Sequence, residues 1–410
     1  MPAPGITVPR PCHSSLPKDT TMQDAASTQI PIHGTCTPGY EHIRDVFAEN
    51  FQERGEIGSA VCIYKNGLPV IDLWGGHKDA ERTRPWEKDT IVCMMSVAKS
   101  ISALGVYILV ERGEIDLDTP VAKYWKEFGQ AGKSTITVRT LLGGRAGVLF
   151  ADSAPAGSML DYDTMVEAIA RQPAEPPAAG RGAYHSLTMG FLLGALIESV
   201  DKRPFKDFIQ QELCGPLGAD YKFGLSDTYI ERLAPVIKNT GNATMQVVLD
   251  GQAPGTALAR AYHVMPKMDE FFANSDLFLK NVFPSGNGVG NARGIARIYA
   301  LLAEGGTLDG IRLFSPTLVE EMRQLQWTGP CMMTGRDYRY AMGFFLNQPY
   351  FSPMGKNPNA FGHMGAGGSI GFADPEAGIS FSYSPNFMCA GEGVGDRAEA
   401  LIDALYAETG

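Results

Sequence analysis

The sequence predicts a mixed α/β (α+β) fold, in which one antiparallel sheet flanked by helices is built from both ends of the chain. Short strand-like runs occur near the start, at residues 59–74, and again toward the end, at residues 361–383. Helical and loop-rich segments fill most of the chain between them. The economical arrangement is a sheet domain with a mostly helical domain inserted from the middle, and a cleft is expected where the two meet.

The N-terminal elements are predicted from periodicity and from one turn signal. They are a helix at 40–53, strands at 59–64 and 69–74, and a strand-like run at 89–95. Apolar residues at helical spacing predict the first helix. The pair Asn66-Gly67 between the two strands is the strongest short hairpin signal. Ser96 then opens a long apolar helix.

The middle and C-terminal elements follow from the same reasoning. Helices are expected at 137–142, 162–171, 187–200 and 204–213. Residues 239–285 have no clear period, which favours an irregular lid or insertion. Successive antiparallel strands are expected at 340–346, 361–363, 369–373 and 379–383, with a closing helix at 397–406.

These elements predict an organisation in three parts. Residues 1–35 are rich in Pro, Ser and Thr and are expected to be a flexible leader, with Met22 as an alternative start. Residues 36–134 and 286–410 are expected to form the sheet domain. Residues 135–285 are expected to form the helical domain with its lid-like insertion.

Composition narrows the class of protein. The 410 residues are 44% hydrophobic and 20% charged, which is typical of a soluble globular enzyme with a large core. The net charge is −10 and no dense Lys/Arg cluster occurs, so nucleic acid is not an expected partner. A small molecule is therefore the expected partner, and the oligomeric state is not predicted.

Targeting and cysteine signals are weak. No run of eighteen apolar residues predicts a membrane span, and the leader lacks the apolar segment of a signal peptide, so a cytoplasmic location is expected. The seven cysteines are odd in number and form no C-x-x-C pair, which argues against a disulfide framework and a zinc site.

The most informative motif is Ser96-Val97-Ala98-Lys99. Residues three apart are neighbours on a helix, so the hydroxyl and the amine can touch. A lysine whose pKa is lowered by burial can take the proton of a serine nucleophile, and a helix N-terminus offers free N–H groups to an oxyanion. The alternative is a serine that caps the helix beside a solvated lysine.

Competing nucleophiles are present in the sequence. The S-x-x-K pattern also occurs at Ser15 and at Ser199, but neither opens an apolar helix after a strand. Ser369 lies in a G-x-S-x-G string, which in α/β-hydrolases needs a helix after it, whereas strand and turn residues follow here. Cys93 lies near Ser96 but is better explained as a small buried residue.

A second element, Tyr184-His185-Ser186, precedes a predicted helix. A tyrosine beside a protonated lysine can serve as base and then as acid, because the cation lowers its pKa. The alternative is a helix-capping Tyr/Ser pair.

The third element is His363-Met364-Gly365-Ala366-Gly367-Gly368, at the edge of a predicted strand. Its small residues would let an acyl group approach the backbone, and a strand-edge N–H can complete an oxyanion hole with that of Ser96. The alternatives are a plain glycine-rich hairpin and a catalytic-base role for the histidine.

In this order, the three elements resemble the serine β-lactamase and penicillin-binding superfamily, and within it the class C-like carboxylesterases called family VIII esterases. The resemblance covers roughly residues 40 to 410. Further matches are Trp74-Gly75-Gly76, Pro85-Trp86, Arg145-Ala146-Gly147, Pro216-Leu217-Gly218 and Asn291-Ala292-Arg293. The resemblance implies a β-lactamase/penicillin-binding-like fold.

The resemblance also implies roles for individual residues. Ser96 would be the acylated nucleophile, and Lys99 and Tyr184 the acid/base pair. The N–H groups of Ser96 and Ala366 would form the oxyanion hole. The substrate-binding positions would be Ser186, His363, Gly365 and Gly367. Relatives use no metal and no organic cofactor, so none is expected.

Three departures from the family pattern are present. Ser186 stands where β-lactamases carry an asparagine, and His363 stands where they carry a lysine; both losses weaken recognition of β-lactams. Gly144 replaces a histidine that relatives commonly have, which affects the packing of that loop and not the chemistry.

The leading hypothesis is therefore a serine carboxylesterase acting on short to medium acyl esters. An acyltransferase of the same fold, a weak β-lactamase or amide hydrolase, and a non-catalytic binding protein are the alternatives. Pocket-wall candidates, each also explained as core, are Phe150, Tyr162, Trp327, Tyr340 and Phe344.

Overall fold

The computed structural model describes residues 30–175, 181–242, 255–268, 271–391 and 393–408. Its strands are β1 (Ile32–Cys36), β2 (Gly58–Lys65), β3 (Leu68–Gly76), β4 (Val92–Cys93), β5 (Tyr221–Lys222), β6 (Val289–Gly290), β7 (Thr307–Leu308), β8 (Ile311–Arg312), β9 (Trp327–Pro330), β10 (Asp337–Tyr340), β11 (Phe345–Leu346), β12 (Phe361–Met364), β13 (Ile370–Asp374) and β14 (Ile379–Pro385). Its α-helices are α1 (Glu41–Glu53), α2 (Val97–Glu111), α3 (Val138–Leu142), α4 (Tyr162–Arg171), α5 (Thr188–Asp201), α6 (Phe205–Ile209), α7 (Gly215–Leu217), α8 (Asp227–Ile230), α9 (Ala257–Tyr262), α10 (Asp276–Lys280), α11 (Ala292–Ala303), α12 (Pro316–Met322) and α13 (Gly395–Glu408). Short 3₁₀ segments lie at Val121–Lys123, Lys126–Gly129, Ser158–Leu160 and Phe272–Asn274, and a π-helical turn at Gln210–Cys214.

Both ends of the chain contribute to one large antiparallel sheet. Within the described residues it has nine strands in the order β1-β3-β2-β14-β13-β12-β11-β10-β9. The C-terminal strand β14 therefore pairs with the N-terminal strand β2, for example Phe381 opposite Ile63. The predicted mixed α/β sheet built from both termini is confirmed.

Helices cover both faces of this sheet. On one face α11 packs against β14, β13 and β2, and the Ser380 hydroxyl donates to the main-chain oxygen of Ala296. On the opposite face, α1 and α13 pack together over a buried ion pair between Glu56 and Arg397. The Tyr383 hydroxyl also donates to Glu56, so the buried Glu56 carboxylate has two partners, Arg397 and Tyr383.

A layer of apolar helices lies beside the sheet and presents the site. α2 is buried along almost its whole length and packs against α5 and α6. The contact is close because residue 105 is glycine, whose hypothetical Cβ would lie 2.7 Å from side-chain atoms of Ile197 and Ile209. A separate three-stranded sheet, β4-β6-β5, holds the segment that leads into α2.

Most predicted elements agree with these bounds, and two differ. The expected strand at 340–346 is wrong: β10 ends at Tyr340 and β11 begins at Phe345, with a tight turn between them. Gly343 makes that turn with φ +88°, pressed against Ala103 of α2. The alternating apolar residues at 340–346 do not indicate a turn between two strands.

The second difference concerns the expected leader. Its residues 32–35 lie in the edge strand β1, which pairs with β3. The segment is too short and polar for a strand pattern to be recognised. Residues 1–29 of the expected leader lie outside the described residues. Among the residues that are described, no helix is long and apolar enough to cross a membrane.

Candidate active site

Ser96 lies at the N-terminus of α2, at the end of a tightly fixed approach. The preceding residue, Met95, has φ +48°, a left-handed conformation that is costly for a non-glycine residue and persists only where the surroundings enforce it. The Met94 N–H donates to the Gly288 oxygen (3.0 Å), and the Ser369 hydroxyl donates to the Met94 oxygen (2.9 Å). The serine is thus held from both sides.

Lys99 is the immediate partner of Ser96. Its Nζ donates to Ser96 Oγ (3.0 Å) and to the main-chain oxygen of Ser285 (2.7 Å). The side chain is only 2% exposed, and burial lowers its pKa to about 7. Ser96 makes no side-chain cap bond. These residues therefore do not form a capping serine beside a solvated lysine. With a pKa of about 7, about half of the Lys99 amine is uncharged near neutral pH.

Tyr184 completes a triangle with these two residues. Its side chain interacts with Ser96, and Lys99 Nζ lies 5.0 Å from the centre of its ring. The expectation that the cation lowers the pKa of the phenol is wrong. Burial raises the pKa of Tyr184 well above 10, and the hydrogen bond to Ser96 offsets only part of this. The residue is therefore a neutral phenol at physiological pH.

Ser285 is a site residue that the sequence reasoning missed. Its hydroxyl donates to the Leu187 oxygen (2.6 Å) and accepts from the Gly190 N–H (2.7 Å), at the first turn of α5. One residue thus ties the acceptor of Lys99 to the helix that directly follows Tyr184. No sequence signal marks it, because it falls within the stretch 239–285 that lacks periodicity.

Two main-chain N–H groups are available for an oxyanion. Neither the N–H of Ser96 nor that of Ala366 donates to an acceptor among the described residues, and both residues line the cavity. The N–H of Gly365 is occupied, because it donates to the Ser369 oxygen (2.7 Å). A side chain at 365 would collide with Met94, its Cβ lying 2.2 Å from that residue's oxygen.

Ser186 lines the same cavity, with its Oγ 2.7 Å from the Tyr262 hydroxyl. His363 is not among the residues that line the cavity, whereas its neighbour Met364 is. The His363 ring lies directly behind the cavity wall, with its centre 6.0 Å from that of the Tyr184 ring. The imidazole is 0% exposed, packs 4.9 Å from the Phe345 ring centre and has a pKa lowered to about 3 by burial.

Gly367 also lies outside the cavity lining. It has φ +101°, and its oxygen accepts from the Cys389 N–H (2.8 Å), so it shapes the β12–β13 turn. Of the predicted site residues, the cavity brings together Ser96, Lys99, Tyr184, Ser186, Gly365 and Ala366.

The cavity has a volume of about 280 Å³ and a mainly apolar wall. Apolar residues of the wall are Met95, Met159, Leu187, Leu258, Met265, Phe272, Phe278, Phe283, Phe345, Phe351, Met364 and Ala366. None of the five aromatic residues expected as wall candidates lines it. Five of these twelve residues lie at 258–283, within the insertion whose fold the sequence did not predict.

The competing nucleophiles have structural roles instead. Lys202 donates to the main-chain oxygen of Ser199 (2.6 Å) at the exposed end of α5. Ser369 is followed by strand β13 and not by a helix, so it does not form a nucleophile elbow. Cys93 is buried, which raises the pKa of its thiol to about 12. Ser15 lies outside the described residues.

Among the residues that the structure describes, no group of three or more His, Cys, Asp or Glu side chains could hold a metal ion. The polar groups around Ser96 are an amine, two kinds of hydroxyl and main-chain N–H groups. This set can activate a serine, move its proton and stabilise an oxyanion.

The chain is similar to known proteins in both sequence and fold. A family model described as Beta-lactamase matches residues 43–405. Esterase/beta-lactamase LipL of Mycobacterium tuberculosis is 31% identical over 365 residues, covering 87% of this chain and 83% of the relative. The crystal structure of a family VIII carboxylesterase is 33% identical with a TM-score of 0.83, covering 92% of this chain and 100% of that one. A penicillin-binding protein homologue from Caulobacter crescentus is 32% identical with a TM-score of 0.82, covering 92% and 99%.

Proposed function

The chain belongs to the beta-lactamase family, and from that premise we propose that it is a serine carboxylesterase that forms an acyl-enzyme on Ser96. The observation that carries the proposal is the contact between Ser96 Oγ and a buried Lys99 whose pKa lies at about 7. Relatives named as esterases support ester hydrolysis as the reaction.

In the acylation step, the neutral amine of Lys99 takes the Ser96 proton while Oγ attacks the carbonyl carbon of the ester. The lowered pKa of Lys99 and the raised pKa of Tyr184 favour the lysine as this base. The carbonyl oxygen becomes an oxyanion, which the N–H groups of Ser96 and Ala366 stabilise.

Collapse of this intermediate breaks the bond to the alcohol. Tyr184, a neutral phenol beside Ser96, donates its proton to the departing alkoxide and regains one from protonated Lys99. Water then attacks the carbonyl carbon of the acyl-enzyme and gives a proton to the Lys99–Tyr184 pair. This proton is passed to Ser96 Oγ as the carboxylic acid leaves, which regenerates the free serine.

The cavity supports esters of short to medium acyl chains as substrates. Its volume of about 280 Å³ lies just below the usual range for drug-sized ligands, and its wall is mainly apolar. A small ester with hydrocarbon arms fits this description better than a large charged substrate.

Slow β-lactam cleavage is a second candidate, because the relative LipL is named an esterase/beta-lactamase. Two observations count against its being the main activity. His363, at the position of the β-lactamase lysine, is buried with a lowered pKa, and Ser186 is engaged by Tyr262. No cation is therefore offered at position 363 to the carboxylate of a β-lactam.

The test is turnover of p-nitrophenyl acetate, butyrate and octanoate by wild-type and Ser96→Ala proteins. Loss of the nucleophile is expected to lower kcat by at least about 10³-fold. Ser199→Ala is the matched control, since it removes the serine of another S-x-x-K pattern, and is expected to keep wild-type activity.

Trapping identifies the acylated residue directly. A fluorophosphonate is expected to label wild-type protein at Ser96, as read by peptide mass spectrometry, and to leave Ser96→Ala unlabelled. Full turnover by Ser96→Ala would contradict the assignment. Added alcohol and a chromogenic cephalosporin distinguish the other candidates: a transesterified product indicates an acyltransferase, and cephalosporin turnover exceeding ester turnover indicates a β-lactamase.

A further inference from the structure

A pair of hydroxyl groups interrupts the apolar wall of the cavity. Ser186 Oγ and the Tyr262 hydroxyl lie 2.7 Å apart, and both residues line the cavity that contains Ser96. Ser186 is two residues from Tyr184, whereas Tyr262 arrives from the insertion, at the end of α9. The pair therefore joins the acid/base side of the site to its variable wall.

The protons of this pair can be counted. Two hydroxyl groups carry two donor protons, and the bond between them uses one. Among the described residues neither oxygen has a further hydrogen-bond partner. Burial raises the pKa of Tyr262, so its proton stays on the oxygen at working pH. One O–H donor is consequently left facing the cavity.

The position of Tyr262 is built into the fold. Two residues earlier, the Arg260 guanidinium donates to Asp152 (2.7 Å), pairs with Glu175 (2.7 Å) and lies 3.8 Å from the centre of the Phe150 ring. The Met159 N–H also donates to the Val264 oxygen (2.8 Å). Because both flanks of Tyr262 are anchored, its hydroxyl is held in place before a ligand binds.

We propose that the Ser186–Tyr262 hydroxyl pair is a specificity determinant that donates one hydrogen bond to an oxygen in an arm of the ester. The substrate class is then esters carrying an ether, hydroxyl or carbonyl oxygen near the scissile group, in preference to hydrocarbon esters of equal length. This inference rests on the proposed esterase function and refines its substrate.

The test compares isosteric esters in which one oxygen replaces one methylene. For the acyl arm the pair is p-nitrophenyl methoxyacetate and p-nitrophenyl butyrate, and for the alcohol arm it is 2-methoxyethyl acetate and butyl acetate. The ratio of kcat/KM within each pair is measured for the double variant Tyr262→Phe/Ser186→Ala, which removes both O–H donors, and divided by the wild-type ratio, which cancels intrinsic reactivity. One lost hydrogen bond is expected to lower this ratio about tenfold in one arm.

Further variants separate recognition from a merely structural contact. Tyr262→Phe and Ser186→Ala each keep one of the two O–H donors, so each is expected to lower the ratio less than the double variant does. Tyr350→Phe, which removes a hydroxyl from a 93% exposed tyrosine, is the control and keeps the wild-type ratio. Thermal unfolding checks that each variant is folded.

Ratios within twofold of wild type in both arms would overturn the inference and leave the pair as an anchor of α9. Wild-type protein that turns over none of the four esters would instead overturn the proposed function, so the two failures are distinguishable.

Discussion

The two walls of the cavity differ in how their side chains are held. The catalytic wall, consisting of Ser96, Lys99, Tyr184 and Ser285, is held by hydrogen bonds between distant segments: Lys99 donates to the Ser285 oxygen, Ser285 bonds to Leu187 and Gly190, and the Tyr184 N–H donates to the Cys331 thiol. The insertion wall includes Leu258, Tyr262, Met265 and Phe272, which lie in short helices and turns and are half-buried.

This difference suggests a division of labour. Proton transfer tolerates little displacement, so its residues need rigid support, whereas selection among esters needs only a shaped surface. Substitutions in the catalytic wall are expected to slow all esters alike. Substitutions in the insertion wall are expected to change the preference between esters.

The largest effect is expected from Lys99→Met. Removing the base is expected to lower kcat about 10² to 10⁴-fold for every ester tested. In the wild type, kcat/KM is expected to rise with pH and level off above about 7, because only the neutral amine accepts the Ser96 proton. This rise should disappear in Lys99→Met. A wild-type profile that falls with increasing pH through 7 would contradict the role of Lys99 as base.

Lys99→Arg is the matched control for charge. It keeps a cation at this position but cannot lose its proton, so it should be as inactive as Lys99→Met. Activity retained in Lys99→Arg would mean that the charge matters and the base lies elsewhere.

Tyr184→Phe is expected to have the next largest effect. The ring still fills its place, but no hydroxyl remains to protonate the leaving alkoxide, so kcat should fall about 10²-fold. The loss should be smaller for p-nitrophenyl esters, whose leaving group needs little protonation, than for alkyl esters. Measuring both classes checks this, and equal losses would argue that Tyr184 only positions its neighbours. Tyr350→Phe again serves as the control.

Ser285→Ala is expected to cost less, about fivefold to tenfold in kcat. Without the bonds to Leu187 and Gly190, the loop that carries the Lys99 acceptor loosens and water reaches the amine. Since burial is what lowers the pKa of Lys99, the rise of kcat/KM should shift to higher pH. The pH profile of both proteins is the measurement.

Ser275→Ala provides the comparison for this shift. Ser275 is buried and also makes two main-chain hydrogen bonds, to Phe272 and Phe278, but it does not touch Lys99. It should lower the midpoint of thermal unfolding without moving the pH profile. An unshifted profile in Ser285→Ala would remove that residue from the catalytic wall.

The same contrast explains what the sequence could predict. Lys99 follows Ser96 at helical spacing, so their contact is local and was visible in the sequence. Contacts between distant segments were not: Ser285 reaches Lys99 across 186 residues, and nothing in its neighbours marks it. The pKa of Tyr184 was misjudged for a related reason, because burial depends on the packing of distant strands.

The glycine-rich element at residues 363–368 shows, within one motif, how far the sequence predicts the site. Its composition indicated a turn that backbone groups could use, and Ala366 does line the cavity. The register of β12 decided the rest: His363 is buried against Tyr184 and Phe345, whereas Met364 lines the cavity. Register is set by pairing with β13, which a single-strand pattern does not specify.

The smallest predicted effect tests the insertion wall by itself. Leu258→Ala removes three carbon atoms from a cavity-lining side chain, which lengthens the space open to a hydrocarbon arm. The ratio of kcat/KM for p-nitrophenyl octanoate over butyrate is expected to rise about threefold to tenfold, with the pH profile unchanged. Leu277→Ala, at a leucine 47% exposed outside this wall, should leave the ratio as it is. If Leu258→Ala slows both esters equally, the insertion wall contributes to catalysis as well as to selection. That outcome would contradict the division of labour between the two walls.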